Sequence, residues 1–126
     1  MQIIYIEDSS DDVGLAELAL KKAGLNFIMF VVDTEKEFSK VLDTIFPDLI
    51  LSDHSLPGFN SSEGYKITML KRPDTPFILF TGTVSEEFAV NCLLAGIDDY
   101  ILKSNLIRLP SSVERVLAKN FNHVHT

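Results

Sequence analysis

The sequence contains one cysteine, Cys92, among its 126 residues, so it cannot form an internal disulfide. This composition suits a reducing compartment. No apolar run approaches the ~18 residues that a membrane span needs. The first residues, MQIIYIED, lack the basic region of a signal peptide. We therefore expect a soluble cytoplasmic protein.

Basic residues are also scarce. The chain has 11 lysines and arginines against 18 aspartates and glutamates, which gives a net charge of −7. Nucleic acids require a basic face for their phosphates, so direct binding to DNA or RNA is disfavoured. Cations and basic protein surfaces are better matched to this charge. With 46% hydrophobic and 23% charged residues, the composition is that of a folded globular protein.

Short apolar runs alternate with segments of helical period, without an internal repeat, a linker or a low-complexity stretch. The apolar runs have the length and the β-branched and aromatic content of strands. They are apolar nearly throughout, which is typical of strands covered on both faces. The strand candidates are 3–6, 27–32, 48–52, 77–81 and 99–103.

The segments between these runs predict helices. The helix candidates are about 15–23, 34–45, about 62–70, 85–96 and one that has Pro110 in its first turn. Strict alternation of strand and helix, five times over, predicts one α/β domain over residues 1–126, with a parallel sheet between two layers of helices. Residues 121–126 form a polar tail that contains His123 and His125, and we expect this tail to fray.

Ligands of such sheets bind beyond the carboxyl ends of the strands. The polar residues at those ends are Glu7, Asp8, Asp53, Thr81 and Lys103. Clustered carboxylates repel one another unless a cation lies among them, and an oxygen-only set of ligands suits Mg²⁺. A metal there would draw a phosphoryl group toward Asp53, whose carboxylate can form an acyl phosphate. Lys103 supplies a positive charge for the phosphoryl oxygens, and Thr81 supplies a hydroxyl donor.

The sequence resembles, over essentially its whole length, the receiver domains of two-component response regulators. The resemblance is carried by IYIEDSSDD, DLILSDHSLPG, FILFTGT and DYILK, which stand in the expected order. It implies a flavodoxin-like (βα)5 sandwich with strand order 2-1-3-4-5. It also implies that Asp53 accepts a phosphoryl group from a phosphohistidine of a sensor kinase or a phosphotransfer protein. Such a domain is a signalling switch and not an enzyme with a separate substrate.

The resemblance also implies roles for individual residues. Asp8 and Asp53 would bind Mg²⁺ through their side chains, and Glu7 mostly through water. Ser55 would bind the ion through its backbone carbonyl.

Other positions match the family's switch and its control of hydrolysis. Thr81 and Tyr100 match the switch pair, in which the hydroxyl moves toward the phosphoryl group and the ring moves inward. Ser55 and Thr83 match positions that tune hydrolysis of the acyl phosphate.

The sequence departs from the family after Lys103. Most receivers have a proline there, in a cis bond, but this chain has Ser104 and then Asn105. A cis bond before a residue other than proline costs about 2.5–4 kcal/mol. We therefore predict a trans Lys103–Ser104 bond and a rerouted turn.

The fourth helix candidate has more apolar surface than one buried stripe needs, since only Asn91 is polar between Phe88 and Leu94. Either the helix is broadly buried or part of it faces outward as a partner surface. In receivers this helix, the fifth strand and the last helix form the output and dimer face. We assign no role to His54, and we interpret Cys92 as a packing residue.

Other functions are weaker fits. A phosphorylation-independent interaction module would keep the fold without the switch, but the acidic pair, acceptor, hydroxyl and lysine are all intact. A flavin-mononucleotide binder would need a phosphate loop where the acidic EDSSDD segment stands. A haloacid-dehalogenase-type phosphatase would need a second aspartate at the position of Ser55.

Overall fold

The protein is described by a computed structural model. It describes residues 1–82 and 85–125, and for Ser55 and residues 119–125 it describes the backbone only. The strands are β1 Gln2–Ile6, β2 Ile28–Val32, β3 Leu49–Ser52, β4 Ser55–Leu56, β5 Phe59–Asn60, β6 Phe77–Thr81 and β7 Asp99–Leu102. The helices are α1 Ser10–Lys22, α2 Glu35–Thr44, α3 Ser61–Lys71, α4 Glu86–Leu94 and α5 Arg108–His125.

Five strands form a parallel sheet in the order β2-β1-β3-β6-β7. This confirms the predicted order 2-1-3-4-5, because β4 and β5 lie outside that sheet. These two short strands form a hairpin that the sequence did not predict. Its two turn residues are Pro57 and Gly58, and Gly58 has a φ of +75°. A proline followed by a residue with positive φ is the signature of a type II turn.

The apolar core has two layers, one on each face of the sheet. Alternate residues of one strand point to opposite faces, so Ile3 and Tyr5 join one layer while Ile4 and Ile6 join the other. The first layer packs against α1 and α5, and the second lies on the side of α2 and α3. This arrangement explains why the central strands are apolar nearly throughout.

Helix ends follow local chemistry. Ser9, Thr34 and Ser85 each accept a backbone N–H from the first turn of a helix, as N-caps do. Asn60 and Glu63 form a complete capping box at α3, which the sequence analysis missed.

The C-terminus of α4 is followed by Gly96, whose φ is +111°. A Cβ atom at this position would lie 2.5 Å from the Tyr65 hydroxyl oxygen. Glycine is therefore required here both by the backbone conformation and by the close approach of Tyr65.

The chain leaves β7 through a 3₁₀ turn, Lys103–Asn105, and α5 begins at Arg108 with Pro110 in its first turn. All peptide bonds of the described residues are trans, so the predicted trans Lys103–Ser104 bond is confirmed. Helix α5 continues to His125, and the expected fraying of residues 121–126 stays a prediction. Among the described residues, no helix is both long and apolar enough to cross a membrane.

Candidate phosphoacceptor site

Backbone pairing brings the carboxyl ends of β1 and β3 side by side. Ile6 pairs with Ser52 across the two strands. The ladder continues one residue further, because the N–H of Asp53 donates to the Ile6 carbonyl at 3.0 Å. Glu7 and Asp53 therefore leave neighbouring strands at the same level. We call this edge of the sheet the rim.

Glu7 is held in place by hydrogen bonds to both of its oxygens. Oε1 accepts the backbone N–H groups of Asp8 and Ser9 at 3.0 and 3.2 Å. Oε2 accepts from Lys103, with the Tyr5 hydroxyl at 3.5 Å. The Glu7 side chain is 1% exposed. Burial raises the pKa of Glu7, while the Lys103 ammonium acts in the opposite direction.

Lys103 directs its ammonium group at three carboxylates. Nζ lies 2.5 Å from Glu7 Oε2, 2.7 Å from Asp12 Oδ2 and 3.5 Å from Asp53 Oδ2. Burial on its own lowers the pKa of Lys103, but hydrogen bonds to Asp12 and Glu7 raise it to about 12. The lysine is therefore charged at neutral pH. We call these four residues the rim cluster.

Asp53 presents its two oxygens to different partners. Oδ1 accepts the backbone N–H of His54 at 2.8 Å, which leaves Oδ2 facing the Lys103 ammonium. The side chain is 17% exposed. A carboxylate with one oxygen fixed by a backbone donor and the other beside a cation is suited to attack an electrophile that approaches from solvent.

The residues at the rim fit a hard divalent ion by their chemistry. Asp8 is exposed and Asp53 is partly exposed, and both offer carboxylate oxygens. Among the side chains that the structure describes, no cluster of three acidic, histidine or cysteine residues is arranged to hold a metal ion. Mg²⁺ commonly uses one or two carboxylates and keeps several waters, so it does not need such a cluster. Glu7 has both oxygens engaged, which fits contact through water.

Of the other predicted site residues, Thr81, Tyr100 and the backbone of Ser55 lie within the described structure. Thr81 is the last residue of β6, is 3% exposed and pairs with Leu102, the residue before Lys103. Tyr100 is partly buried against the core layer that faces α2 and α3. The backbone of Ser55 begins β4, while Thr83 lies outside the described residues.

Sequence reasoning missed two residues of the site. The sequence analysis did not single out Asp12, which lies in the first turn of α1, yet its carboxylate binds Lys103. No local pattern could have found a contact between residues 91 positions apart. His54 was left without a role, yet its ring packs on Phe88 with centroids 4.1 Å apart and lies 3.1 Å from Ser61 Oγ. It therefore links the acceptor loop to α3 and α4.

The sequence left two alternatives open for α4, and the exposure of its apolar residues supports the one in which part of the helix faces outward. Leu94 is 81% exposed, Val90 and Leu93 are about half exposed, and Cys92 is buried in the core. On α5's side of the molecule, Ile107 is also highly exposed.

The parallel sheet with helices on both faces defines a doubly wound α/β domain. Its rim, where such domains bind ligands, holds a lysine among carboxylates. The chain belongs to the family of response regulator receiver domains, whose model matches residues 3–114. This confirms the resemblance seen in the sequence.

Individual relatives support the same family assignment. The cell cycle response regulator CtrA of Brucella ovis is 30% identical over 103 residues, which cover 82% of this chain and 44% of that protein. The chain thus spans less than half the length of this relative. A CheY-like receiver domain from Methanospirillum hungatei JF-1 is 27% identical, with a TM-score of 0.80 and 97% of both chains covered.

The receiver domain of a sensor histidine kinase from Pseudomonas aeruginosa PAO1 shares the fold. Its TM-score is 0.77 at 22% identity, over 93% of this chain and 97% of that one. That structure has a magnesium ion coordinated in its active site cleft.

Proposed function

We propose that this chain is a phosphoacceptor receiver domain in which Asp53 accepts a phosphoryl group from a phosphohistidine. The donor would be a sensor histidine kinase or a histidine phosphotransfer protein. The observation that carries the proposal is the position of the Lys103 ammonium, 3.5 Å from Asp53 Oδ2 and anchored on the buried Glu7. A lysine so placed lies where the oxygens of a phosphoryl group on Asp53 would need positive charge.

In the proposed reaction, Asp53 Oδ2 attacks the phosphorus atom, and the bond from phosphorus to the histidine nitrogen breaks. The electron pair of that bond stays on the imidazole. The backbone N–H of His54 holds Oδ1 and so orients the carboxylate. Lys103 balances the charge of the acyl phosphate that forms.

Asp8 and Asp53 would hold Mg²⁺ with the Ser55 carbonyl, and Glu7 would contribute through water. The ion, when bound, neutralises part of the negative charge that the phosphoryl group brings to the rim. The magnesium-bound receiver domain from Pseudomonas aeruginosa supports this assignment by analogy.

Phosphorylation would then shift an existing equilibrium between inactive and active conformations. Thr81 would move toward the phosphoryl group and the Tyr100 ring would move inward; the position of Thr81 at the end of β6 and of Tyr100 in the adjacent strand supports these roles. The exposed apolar residues of α4 provide a surface for an output partner or a second copy of the chain. Ser55 and Thr83 would set the rate at which water reaches the acyl phosphate.

The proposal is tested by labelling with acetyl phosphate in the presence of Mg²⁺. We expect the wild-type chain to gain one phosphoryl group by intact-protein mass spectrometry, and Asp53→Asn to gain none. Asp48→Asn, which changes an acidic residue immediately before β3, is the matched control and should label normally. Equal labelling of Asp53→Asn would show that the acceptor is another residue.

An interaction module that works without phosphorylation is the alternative. It would show no response to Mg²⁺ or to beryllofluoride, a mimic of the aspartyl phosphate. Titration of the backbone amide signals with both reagents separates the two functions.

A further inference from the structure

Lys103 holds its ammonium group closer to two other carboxylates than to Asp53. Nζ lies 2.5 Å from Glu7 and 2.7 Å from Asp12, compared with 3.5 Å from Asp53. An ammonium group has three N–H donors. Before phosphorylation, two of these donors are therefore engaged by groups other than the acceptor.

These two contacts differ in what it costs to break them. The Glu7 side chain is 1% exposed, so separation from Lys103 would leave a buried carboxylate without its cation. The Asp12 side chain is 32% exposed, so water can solvate it when the contact opens. The contact with Asp12 is the one that Lys103 can exchange most readily.

We propose that Asp12 is a positioning residue that restrains Lys103 before phosphorylation and competes with the phosphoryl group for its ammonium. This inference rests on the proposed function of Asp53. A donor N–H that is directed at Asp12 is not free for a phosphoryl oxygen. The Asp12 carboxylate also repels the anionic phosphoryl group across the rim. Both effects oppose phosphorylation, so Asp12 acts as a restraint on the switch.

The start of α1 fixes the direction of Asp12. Ser9 caps the helix, and its Oγ accepts the backbone N–H of Asp12 at 3.3 Å. Asp11 precedes it in the same helical turn and is exposed. Neighbouring residues of an α-helix point about 100° apart. Asp11 therefore carries the same charge in the same helical turn but faces another direction, which makes it a matched control.

The test is a titration of the Mg²⁺-saturated full chain with beryllofluoride, followed by NMR. Asp12→Asn is expected to tighten binding about fivefold, which is the effect of releasing one partly exposed ion pair. Asp11→Asn is expected to stay within about twofold of the wild type, since it removes only a screened charge. Asp12→Glu keeps a carboxylate near Lys103 and should restore the wild-type affinity.

A second readout needs neither metal nor phosphoryl group. The exchange of the Lys103 ammonium protons with water, measured by ¹⁵N NMR on the free chain, should accelerate in Asp12→Asn and not in Asp11→Asn. A merely structural role of Asp12 at the helix N-terminus would not produce this difference.

The outcomes separate the two proposals. If the wild type binds beryllofluoride and Asp12→Asn binds no more tightly than Asp11→Asn, the inference about Asp12 is overturned while the function of Asp53 stands. Weaker binding by Asp12→Asn would also overturn it, because Asp12 would then support Lys103 in the phosphorylated state. If the wild type binds no beryllofluoride, the proposed function fails, and the inference fails with it.

Discussion

The fold contains two clusters of charged residues that are opposite in composition. In the rim cluster, one cation, Lys103, is shared by three carboxylates. At the start of β7, one carboxylate, Asp99, is shared by two cations on α5. Asp99 Oδ2 lies 2.7 Å from Arg115 and 3.4 Å from Arg108. We call the second group the Asp99 cluster.

Both oxygens of the Asp99 carboxylate have hydrogen-bond donors. It also accepts a hydrogen bond from the Ser112 hydroxyl and one from the backbone N–H of Tyr100. Burial on its own would raise the pKa of Asp99, but the hydrogen bonds from Ser112, Tyr100 and Arg115 outweigh it and lower the pKa below its usual range. The carboxylate is therefore stabilised in its charged form, and the cluster ties β7 to α5.

The rim cluster shows the reverse balance, because burial raises the pKa of Glu7 and negative charge is in excess. A further cation would stabilise such a cluster, and a further acidic group would destabilise it. The comparison indicates that a cluster whose charges are balanced by its own partners serves stability. A cluster with an excess of negative charge is suited to binding and chemistry.

The largest expected effect is that of removing the cation of the rim cluster. Lys103→Met keeps most of the apolar stem of the side chain and removes its charge. Loss of one partner of a buried charge pair costs several kcal/mol, so affinity for beryllofluoride should fall by at least about 30-fold. The measurement is a titration in saturating Mg²⁺.

The matched control for this change is Lys71→Met. Lys71 pairs with Asp43 and Ser39, between α2 and α3 and outside the rim cluster. Lys71→Met should leave beryllofluoride binding unchanged. Unchanged binding of beryllofluoride by Lys103→Met would show that the rim cluster is not a binding site of the kind inferred here.

The next effect concerns stability. Asp99→Asn keeps the shape of the side chain but places an amide beside two guanidinium groups. Hydrogen bonds to charged groups contribute about 1.5–3 kcal/mol, so we expect the free energy of unfolding to fall by about 2 kcal/mol. Urea denaturation at pH 7 measures it. Asp74→Asn, at an exposed position, is the control and should change stability by less than about 0.5 kcal/mol.

The same variant carries a pH signature. The folded-state pKa of Asp99 is below its unfolded value, so its stabilising contribution is present above the unfolded pKa of about 3.9. That contribution is lost as the pH falls through the folded-state pKa. The difference in stability between wild type and Asp99→Asn should therefore be constant near neutral pH and shrink in acid. A constant difference down to the acid limit would mean that packing, and not charge, explains the loss.

The sequence predicted the sheet and most of the rim for one physical reason. Parallel strands that are covered on both faces must be continuously apolar, so the polar residue that ends each run marks the edge of the sheet. Glu7, Asp53, Thr81 and Lys103 all follow that rule. Their convergence is a consequence of topology and needs no knowledge of side-chain contacts.

Contacts between side chains that are distant in the sequence could not be predicted in this way. Asp12 lies in the first turn of α1, where the helix dipole already explains an acidic residue, and Asp99 is the first residue of β7. Their partners lie 91 residues away in one case and on the next helix in the other. Only the packing of α1 and α5 against the same face of the sheet decides which cation each acid meets.

The smallest effects separate the two cations of the Asp99 cluster. Arg115→Met should lower the free energy of unfolding by about 1 kcal/mol and Arg108→Met by less than about 0.5 kcal/mol, because both side chains are about half exposed and only Arg115 lies within 2.7 Å of Asp99. Urea denaturation of both variants, repeated in the Asp99→Asn background, measures each pairing energy. In that background the difference between the two arginines should vanish. If it persists, the arginines stabilise α5 through their aliphatic stems, and the saturation of Asp99 comes mainly from Ser112 and the Tyr100 backbone.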